Sequence, residues 1–451
     1  MPAVFIHLSD IHFGQERDHR VHIHADVKEQ LVADAGDVVG GLPGGVAHGI
    51  LVTGDIAYSG KRDQYEAAAT WLDALAEKVG CPIHRVQMVP GNHDLDRDQQ
   101  SQGATYLLDL IRSGGAAEYE SVLSNKSDRA SLFARFEEFG RFSFGYSCAL
   151  DEEGKYATNL HVELAPNRSI RFIRMNSSLL CTGKEDDKKP ELMIGARQFI
   201  IPRKDGEENI VLVHHPLSWY KDSDDIRTYV RSRSRIFISG HEHNPKVEVD
   251  QVEDGSDIMM LAAGATVPFK SDETYTFTYN IIEFDWDAES DALVVTMHPR
   301  AWNPTATCFE ADEKRLGGRR PCFTLGSPNF RRAAAPPAPA GPAPRGEVKP
   351  AEVVEPVVEL VPADTAEEEA TTMPPEVEGY ELAMLRFFRD LLESERLRIL
   401  VALDAIPSDS DERMTLGVER KLFDWLARQG RLPDVIRLIE ESISERKDEG
   451  A

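Results

Sequence analysis

Long apolar runs are absent from this sequence, and no stretch approaches the 20 or so apolar residues that a membrane-spanning helix needs. The first residues, MPAVFIHLSD, have neither a basic segment nor a long apolar core, so we expect no secretory signal. Cysteine is scarce, with five scattered residues and no close group of Cys and His. This scarcity argues against a disulfide framework and against a structural zinc site. We therefore expect a cytoplasmic protein without membrane association.

Basic residues are also fewer than acidic ones. Lys and Arg number 51 against 77 Asp and Glu, which gives a formal net charge of −26. Such an excess of negative charge disfavours non-specific binding to nucleic acid or to an anionic membrane. It does not exclude a phosphate-containing substrate, because bound metal ions reverse the local electrostatic field.

Composition divides the 451 residues into three parts, since the chain is too long for one ordinary core. Residues 1–330 alternate strand-like and helix-like segments and predict a layered α/β domain. Residues 331–378 are rich in Pro, Ala and Glu and predict a disordered linker, extended by its prolines. Residues 379–451 return to helical periodicity and predict a small all-α bundle.

Five strand-like runs in the first domain each lead into a short polar motif. The motifs are SDIH at Ser9–His12, GD at Gly54–Asp55, GNHD at Gly91–Asp94, HH at His214–His215 and GHEH at Gly240–His243. Helical segments over 27–39 and 64–78 separate the first three runs, an order that predicts parallel strands. Because parallel strands deliver their C-terminal ends to one edge of a sheet, we expect the motifs to meet there.

The side chains in these motifs are ligands for divalent metals. The candidate ligands are Asp10, His12, Asp55, Asn92, His214, His241 and His243. Oxygen and imidazole ligands without thiolates favour Mn²⁺, Fe, Zn²⁺ or Mg²⁺, with Mn²⁺ first. Two such ions roughly 3.5–4 Å apart would activate a water molecule and neutralise a phosphoryl group. We expect His93 to give a proton or a hydrogen bond to the leaving oxygen, and Asp94 to orient its ring.

In their order and spacing the motifs resemble those of the calcineurin-like metallophosphoesterase superfamily, over roughly residues 4–300. The resemblance implies a four-layer αββα double β-sandwich with a two-metal centre at one rim. It also implies the ligand sets, which are Asp10, His12, Asp55 and His243 for one ion and Asp55, Asn92, His214 and His241 for the other. The family's ligand two residues before the proline corresponds to His214, and His215 remains the alternative.

The C-terminal part contains apolar residues at helical spacing and no cluster of acid, base or ligand residues. Its block LFDWLARQGRLPDVIRLI resembles the death-like, effector-associated adaptor domains of bacterial conflict systems. The resemblance implies docking to a matching domain of another protein. A plain packing or oligomerisation bundle is the alternative.

Two functions follow from these features. The first is a metal-dependent phosphodiesterase that acts on nucleotides or nucleic acid and is recruited to a protein partner by its C-terminal domain. The alternative is a metal-binding sensor or scaffold with little catalytic activity. Four arginines precede the GHEH motif and either attract an anionic substrate or form a solvated face. They are Arg227, Arg231, Arg233 and Arg235.

Overall fold

The computed structural model describes residues 1–16, 20–183, 185, 188–243, 245–250, 257–267, 277–334, 379–406 and 416–449. Its contacts divide into two units, of which the first comprises Met1–Ala333 and Met384–Leu392 and the second comprises Ala334–Ala383 and Glu393–Ala451. From residue 335 to residue 378 the predicted linker lies outside the described residues.

The described strands form two sheets. In chain order they are β1 (Ala3–Leu8), β2 (Gly49–Val52), β3 (Val86–Met88), β4 (His161–Ala165), β5 (Arg168–Arg174), β6 (Glu207–Leu212), β7 (Ile236–Ser239), β8 (Lys246–Asp250), β9 (Ile258–Ala262), β10 (Thr278–Asp287), β11 (Ala292–Asn303), β12 (Cys308–Ala311) and β13 (Cys322–Leu325).

The described helices are named in the same way. They are α1 (Arg20–Gly41), α2 (Arg62–Lys78), α3 (Gln102–Gly114), α4 (Ala116–Ser124), α5 (Lys126–Phe133), α6 (Glu137–Gly145), α7 (Ala196–Phe199), α8 (Ser223–Arg233), α9 (Pro328–Ala334), α10 (Tyr380–Asp390), α11 (Glu393–Ala402), α12 (Leu416–Arg428) and α13 (Leu432–Glu449).

Both sheets are mixed. The first has the order β12-β11-β10-β1-β2-β3, with β13 paired to β11, and its strands β1, β2 and β3 are parallel. The second has the order β4-β5-β6-β7-β9-β8, in which β5, β6, β7 and β9 run parallel. The predicted α/β class is therefore confirmed, and the five strands that lead into the motifs, which are β1, β2, β3, β6 and β7, are all among the parallel strands.

Three hydrophobic clusters show how the layers stack. In β1, Val4 and Ile6 pack with residues of α1 and α2, whereas Phe5 faces the second sheet. The Phe5 ring centroid lies 4.9 Å from that of Phe172 on β5. A third cluster joins the outer face of the second sheet to α3, α4, α5 and α8. Helices thus cover the outer face of each sheet, and the central strands β1, β2 and β7 are buried along their whole length because both of their faces are covered.

The first unit also includes the separate segment Met384–Leu392. Leu385 in this segment is completely buried and belongs to the same cluster as Phe142 and Tyr146. Arg389 forms an ion pair with Asp73, with 2.6 Å between Nη1 and Oδ2.

The second unit is helical, as expected for residues 379–451. Among its described residues, the buried apolar side chains come mostly from α11, α12 and α13 and include Leu400, Phe423 and Val435. Helix α12 ends at Arg428, and Gly430 follows with a φ of 75°, the left-handed conformation of a C-terminal cap.

Candidate metal centre

The motif loops have an unusual backbone conformation. Within these loops, five residues other than glycine have positive φ, and all five are predicted metal ligands. They are Asp10 (φ 54°), His12 (52°), Asp55 (54°), His241 (70°) and His243 (54°). Each such conformation costs about 1–3 kcal/mol and persists only where surrounding contacts impose it, which is typical of functional sites.

Backbone hydrogen bonds impose this conformation on the first two loops. The Asp10 N–H donates to the Gly54 carbonyl at 3.0 Å, and the N–H groups of Ile11 and His12 donate to the Asp55 carbonyl at 2.9 and 3.0 Å. The SDIH and GD loops therefore form one unit at the C-terminal edge of the first sheet.

Side chains from the second sheet reach the same edge. The His241 N–H donates to Asp10 Oδ2 at 3.1 Å, and the His214 ring bonds the Thr53 carbonyl at 2.7 Å. The seven predicted ligands, which lie up to 233 positions apart in the sequence, thus meet at one rim formed by both sheets.

Asp10, His12 and His243 form the first group. His243 Nε2 lies 3.2 Å from Asp10 Oδ1, and His12 Nε2 lies 3.9 Å from the same oxygen and 3.8 Å from Asp55 Oδ2. The His12 distances are too long for hydrogen bonds, yet the ring is buried. Separations of about 3–4 Å are those expected between two ligands of one ion, given metal–ligand bonds of roughly 2 Å.

Asn92, His214 and His241 form the second group. His214 Nε2 lies 3.1 Å from Asn92 Oδ1, 3.2 Å from His241 Nδ1 and 3.4 Å from Asp55 Oδ2. Asp55 therefore lies beside both groups, with its carboxylate facing His12 on one side and His214 on the other.

The charges of these residues fit cations. Asp10 and Asp55 are 0% and 2% exposed, so two carboxylates lie side by side away from water. Burial opposes ionisation of Asp55, but the neighbouring His214 outweighs it and holds the pKa of Asp55 well below its usual range. Burial by itself would lower the pKa of His214, and the charge of Asp55 instead raises this pKa to about 9. The carboxylates thus need a positive partner, and divalent cations satisfy that need with the ligand types present.

The two neighbouring histidines before Pro216 differ in their contacts. Because the Thr53 carbonyl can only accept, His214 Nδ1 donates to it, and in the neutral ring that a metal would require the Nε2 lone pair faces the ligand group. His215 Nδ1 bonds Ser177 Oγ at 2.8 Å, and its Nε2 lies 3.8 Å from Cys181 Sγ. His215 lies close enough to His214 and His241 to share a metal with them, so His214 as the ligand stays a prediction.

His93 and Asp94 lie in the loop after β3. The His93 N–H donates to Asp55 Oδ1 at 2.8 Å, and Nδ1 of its ring contacts the Tyr58 carbonyl at 2.7 Å. The His93 ring centroid is 4.8 Å from that of His12, so the ring adjoins the candidate metal centre.

The structure corrects the role expected for Asp94. Its carboxylate accepts the N–H groups of Gly91, Ala57 and Ile56 at 2.9, 2.9 and 3.2 Å. The hydroxyl of Tyr65 donates to the same carboxylate at 3.0 Å. Asp94 therefore joins the GNHD loop to the GD loop, and the Tyr58 carbonyl is what orients the His93 ring.

Sequence reasoning missed two aromatic residues of this site. The Tyr58 ring stacks on His93, with centroids 5.2 Å apart and an angle of 27° between the rings. The Trp219 ring meets His241 edge to face at 4.3 Å. Neither residue has a ligand side chain or a diagnostic spacing, so only their contacts in the fold show that they support the centre.

Comparisons with known proteins agree with this architecture. Residues 3–245 match the sequence model of the calcineurin-like phosphoesterase family, and residues 379–441 match that of the GTPase-associated adaptor domain. The first match covers more than half of the chain, so the chain belongs to the calcineurin-like phosphoesterase family. Both family resemblances, including an adaptor domain at the C-terminus, are thereby confirmed.

One curated relative is the uncharacterized metallophosphoesterase-like protein YydB of Bacillus subtilis (strain 168), which is 24% identical over 285 residues. The alignment covers 60% of this chain and 54% of the relative, so the chain spans about half of the relative's length.

Solved structures also match this chain, at low sequence identity. The purple acid phosphatase PPD1 of yellow lupin (Lupinus luteus) is 10% identical, with a TM-score of 0.40 over 76% of this chain and 57% of the phosphatase. Wild-type Vps29 of Entamoeba histolytica, complexed with zinc, is 11% identical, with a TM-score of 0.26 over 68% of this chain and 98% of Vps29. Within the described ranges, no helix combines the length and apolarity needed to span a bilayer.

Proposed function

We propose that this chain is a metal-dependent phosphoester hydrolase, and specifically a phosphodiesterase that acts on nucleotides or nucleic acid. The observation that carries the proposal is the position of Asp55 between two ligand groups at one rim. Its Oδ2 lies 3.8 Å from His12 Nε2 and 3.4 Å from His214 Nε2. One carboxylate that faces both groups suits two ions that share a bridging ligand.

The first ion would be held by Asp10, His12, Asp55 and His243, and the second by Asp55, Asn92, His214 and His241. Bound at these positions, two divalent ions supply an activated water and neutralise the phosphoryl oxygens. Mn²⁺ is our first candidate, and Fe, Zn²⁺ and Mg²⁺ fit the same oxygen and nitrogen ligands.

His93 would act on the leaving group. Because the Tyr58 carbonyl accepts a hydrogen bond, Nδ1 carries a proton and Nε2 is the nitrogen that can exchange a proton with substrate. The hydrogen bond from the His93 backbone to Asp55 Oδ1 fixes the ring relative to the shared carboxylate.

The matched adaptor domain supports a further part of the proposal, which is recruitment of the enzyme to a protein partner.

The test is hydrolysis of bis-p-nitrophenyl phosphate by the metal-stripped protein after addition of Mn²⁺, with metal content measured in parallel. Asp55→Asn should bind less metal and lose activity. His93→Gln should keep its metal and lose about 10²–10⁴-fold in kcat, the usual contribution of a general acid. The control is His161→Gln, because His161 is half-exposed on β4. This variant should behave as the unmodified protein.

Two bound metals without turnover of any phosphoester would contradict the enzyme and favour the sensor or scaffold. Equal metal content in Asp55→Asn and the unmodified protein would contradict the assigned ligands.

A further inference from the structure

A groove lies beside the ligand loops, between helix α8 and the hairpin of β8 and β9. We call it the α8–β9 groove, and its cavity volume is about 340 Å³. This volume is at the lower end of the range of roughly 300–1,000 Å³ for small-molecule sites. A site of this size suits one organic group better than a long polymer.

One end of the groove is part of the metal-ligand loops. Glu242, which lines the groove, stands between His241 and His243 in the GHEH motif. Pro216 and Ser239 also line it, and they follow His215 and precede Gly240 along the chain. The groove therefore adjoins the loops that carry the candidate metal ligands.

The groove has an apolar floor and a charged rim. Val230, Ile258 and Leu261 form part of the floor and are almost fully buried. Arg227 and Lys246 stand at the rim, as does Glu242. A ligand with a flat apolar face and hydrogen-bonding groups along its edge matches this groove. Its face can lie on the apolar floor while its donors and acceptors pair with the charged rim.

The arginines that precede the GHEH motif separate into two pairs. Arg235 is completely buried, with its Nε 3.4 Å from Glu208, and Arg233 donates to the Ile201 carbonyl at 2.6 Å. Arg227 and Arg231 instead line the groove, where Arg231 lies 4.0 Å from Asp250. Only the second pair can meet a substrate there, and Arg227 is an exposed cation available to a base or a phosphate.

From these features we propose that the α8–β9 groove binds the nucleoside arm of a phosphodiester and selects nucleotides as substrates. The inference rests on the proposed phosphoester hydrolysis. A nucleobase supplies the apolar face and the hydrogen-bonding edge, and a guanidinium such as that of Arg227 stacks on such a ring or pairs with a second phosphate. The acidic residues at the rim, with the net charge of −26, argue against a long duplex.

The test compares two substrates that release the same p-nitrophenolate from the full-length, Mn²⁺-loaded protein. One is the p-nitrophenyl ester of thymidine monophosphate, and the other is p-nitrophenyl methyl phosphate, which has no nucleoside. The unmodified protein should prefer the nucleoside ester in kcat/KM. Arg227→Glu should lower kcat/KM for that ester about tenfold, chiefly through KM, and should change the methyl ester less than twofold.

Three further variants separate groove binding from folding and from net charge. Met260→Trp fills the groove and should give the same selective loss, whereas Met260→Leu should not. Arg203→Glu makes the same change of charge at an exposed position outside the groove and should leave the substrate preference unchanged.

The possible results test the groove assignment independently of the proposed hydrolysis. An unchanged nucleoside preference in both groove variants, with activity retained, overturns the groove assignment alone. A selective loss on a phosphoserine peptide or on glycerophosphocholine, with none on the nucleoside ester, overturns the choice of a nucleoside. If no ester is hydrolysed, calorimetric binding of thymidine monophosphate tests the groove directly, and equal affinity in the unmodified protein and Arg227→Glu overturns it.

Discussion

At the candidate metal centre, a backbone hydrogen bond on the far side of two imidazoles, those of His214 and His93, decides which nitrogen faces inward. The Thr53 carbonyl fixes the proton of His214 on Nδ1, and the Tyr58 carbonyl does the same for His93. Both acceptors are backbone atoms of the segment that surrounds Asp55. One short segment thus carries both Asp55 and the two carbonyls that orient these rings.

Asp94 offers a test at this scale, because its buried carboxylate accepts three backbone N–H groups. Burial and the nearby Asp55 raise the pKa of Asp94 to about 6. We expect Asp94→Asn to lower the free energy of unfolding by about 3 kcal/mol, since an amide cannot satisfy all of these donors. Tyr65→Phe, which removes only the hydroxyl donor, should cost about 1 kcal/mol.

Urea unfolding of the metal-stripped protein measures both changes. If Asp94→Asn instead altered the pH dependence of kcat and left the stability unchanged, Asp94 would act through His93 and the structural role would be wrong.

His7 on β1 predicts a pH dependence of stability. Burial, followed by the charge of Arg315, lowers the pKa of His7 from 6.5 to about 3. Between these two pH values the unfolded chain takes up a proton that the folded chain does not. Stability from this residue is therefore complete above pH 6.5 and is lost as the pH falls toward 3.

We expect His7→Gln to reduce the slope of unfolding free energy against pH, between pH 6 and pH 4, by about 1 kcal/mol per pH unit. The ring contacts Thr53 Oγ1 at 3.0 Å and Asn280 Nδ2 at 3.3 Å, contacts that a glutamine can replace in part. Unfolding in urea at several pH values, with a chelator present, measures the slope. Parallel profiles for the two proteins would contradict the assignment.

Among the structural elements, the loops that follow β1, β2 and β3 approach one another closely. A Cβ on Gly91 would lie 2.1 Å from Asp55 Oδ1 and 2.4 Å from the Asp55 nitrogen. The third loop can approach the second only because position 91 has no side chain.

Gly91→Ala should therefore displace Asp55 and weaken both metal sites, with a loss of Mn²⁺ affinity of at least tenfold. The control is Gly40→Ala in α1, where a Cβ would meet nothing within 4 Å. That change should raise stability by up to about 1 kcal/mol, because alanine favours the helix. Isothermal titration with Mn²⁺ and thermal unfolding distinguish the two, and unchanged affinity in Gly91→Ala would refute the close approach.

The lengths of these elements also show how far periodicity predicts structure. The sequence predicts a helix over 27–39, and α1 runs from Arg20 to Gly41. The strands that lead into the second sheet's motifs are short, since β6 ends at Leu212 and β7 at Ser239. The buried apolar residue Val213 continues beyond β6, so hydrophobicity alone does not mark where that strand ends.

For the molecule as a whole, the segment Met384–Leu392 extends the first unit beyond Ala333. The predicted boundaries at 330 and 379 remain a prediction, and composition could not assign this segment because its helical pattern resembles that of its neighbours. A chain that ends at Ala333 lacks Leu385, which is completely buried in the first core cluster.

Leu385→Ala in the full-length chain should lower stability by about 2–5 kcal/mol, the usual cost of removing a buried leucine. Leu382→Ala is the matched control, because Leu382 is 50% exposed and its loss should cost less than about 0.5 kcal/mol. Thermal and urea unfolding measure both variants. Equal stability of the two would show that Leu385 does not belong to the core.

The sequence by itself determined the family, the α/β class, the helical C-terminal part and the seven candidate ligands, because those ligands lie in short motifs after buried strands. Only the tertiary structure decided which atoms face one another. His214 faces Asn92 and His215 contacts Ser177, whereas the Asp94 carboxylate accepts hydrogen bonds from backbone N–H groups rather than from the His93 ring. The tertiary structure also brought Trp219 against His241 and formed a groove beside them. These contacts join residues that are distant along the chain or set the orientation of a ring, and neither is encoded in local spacing.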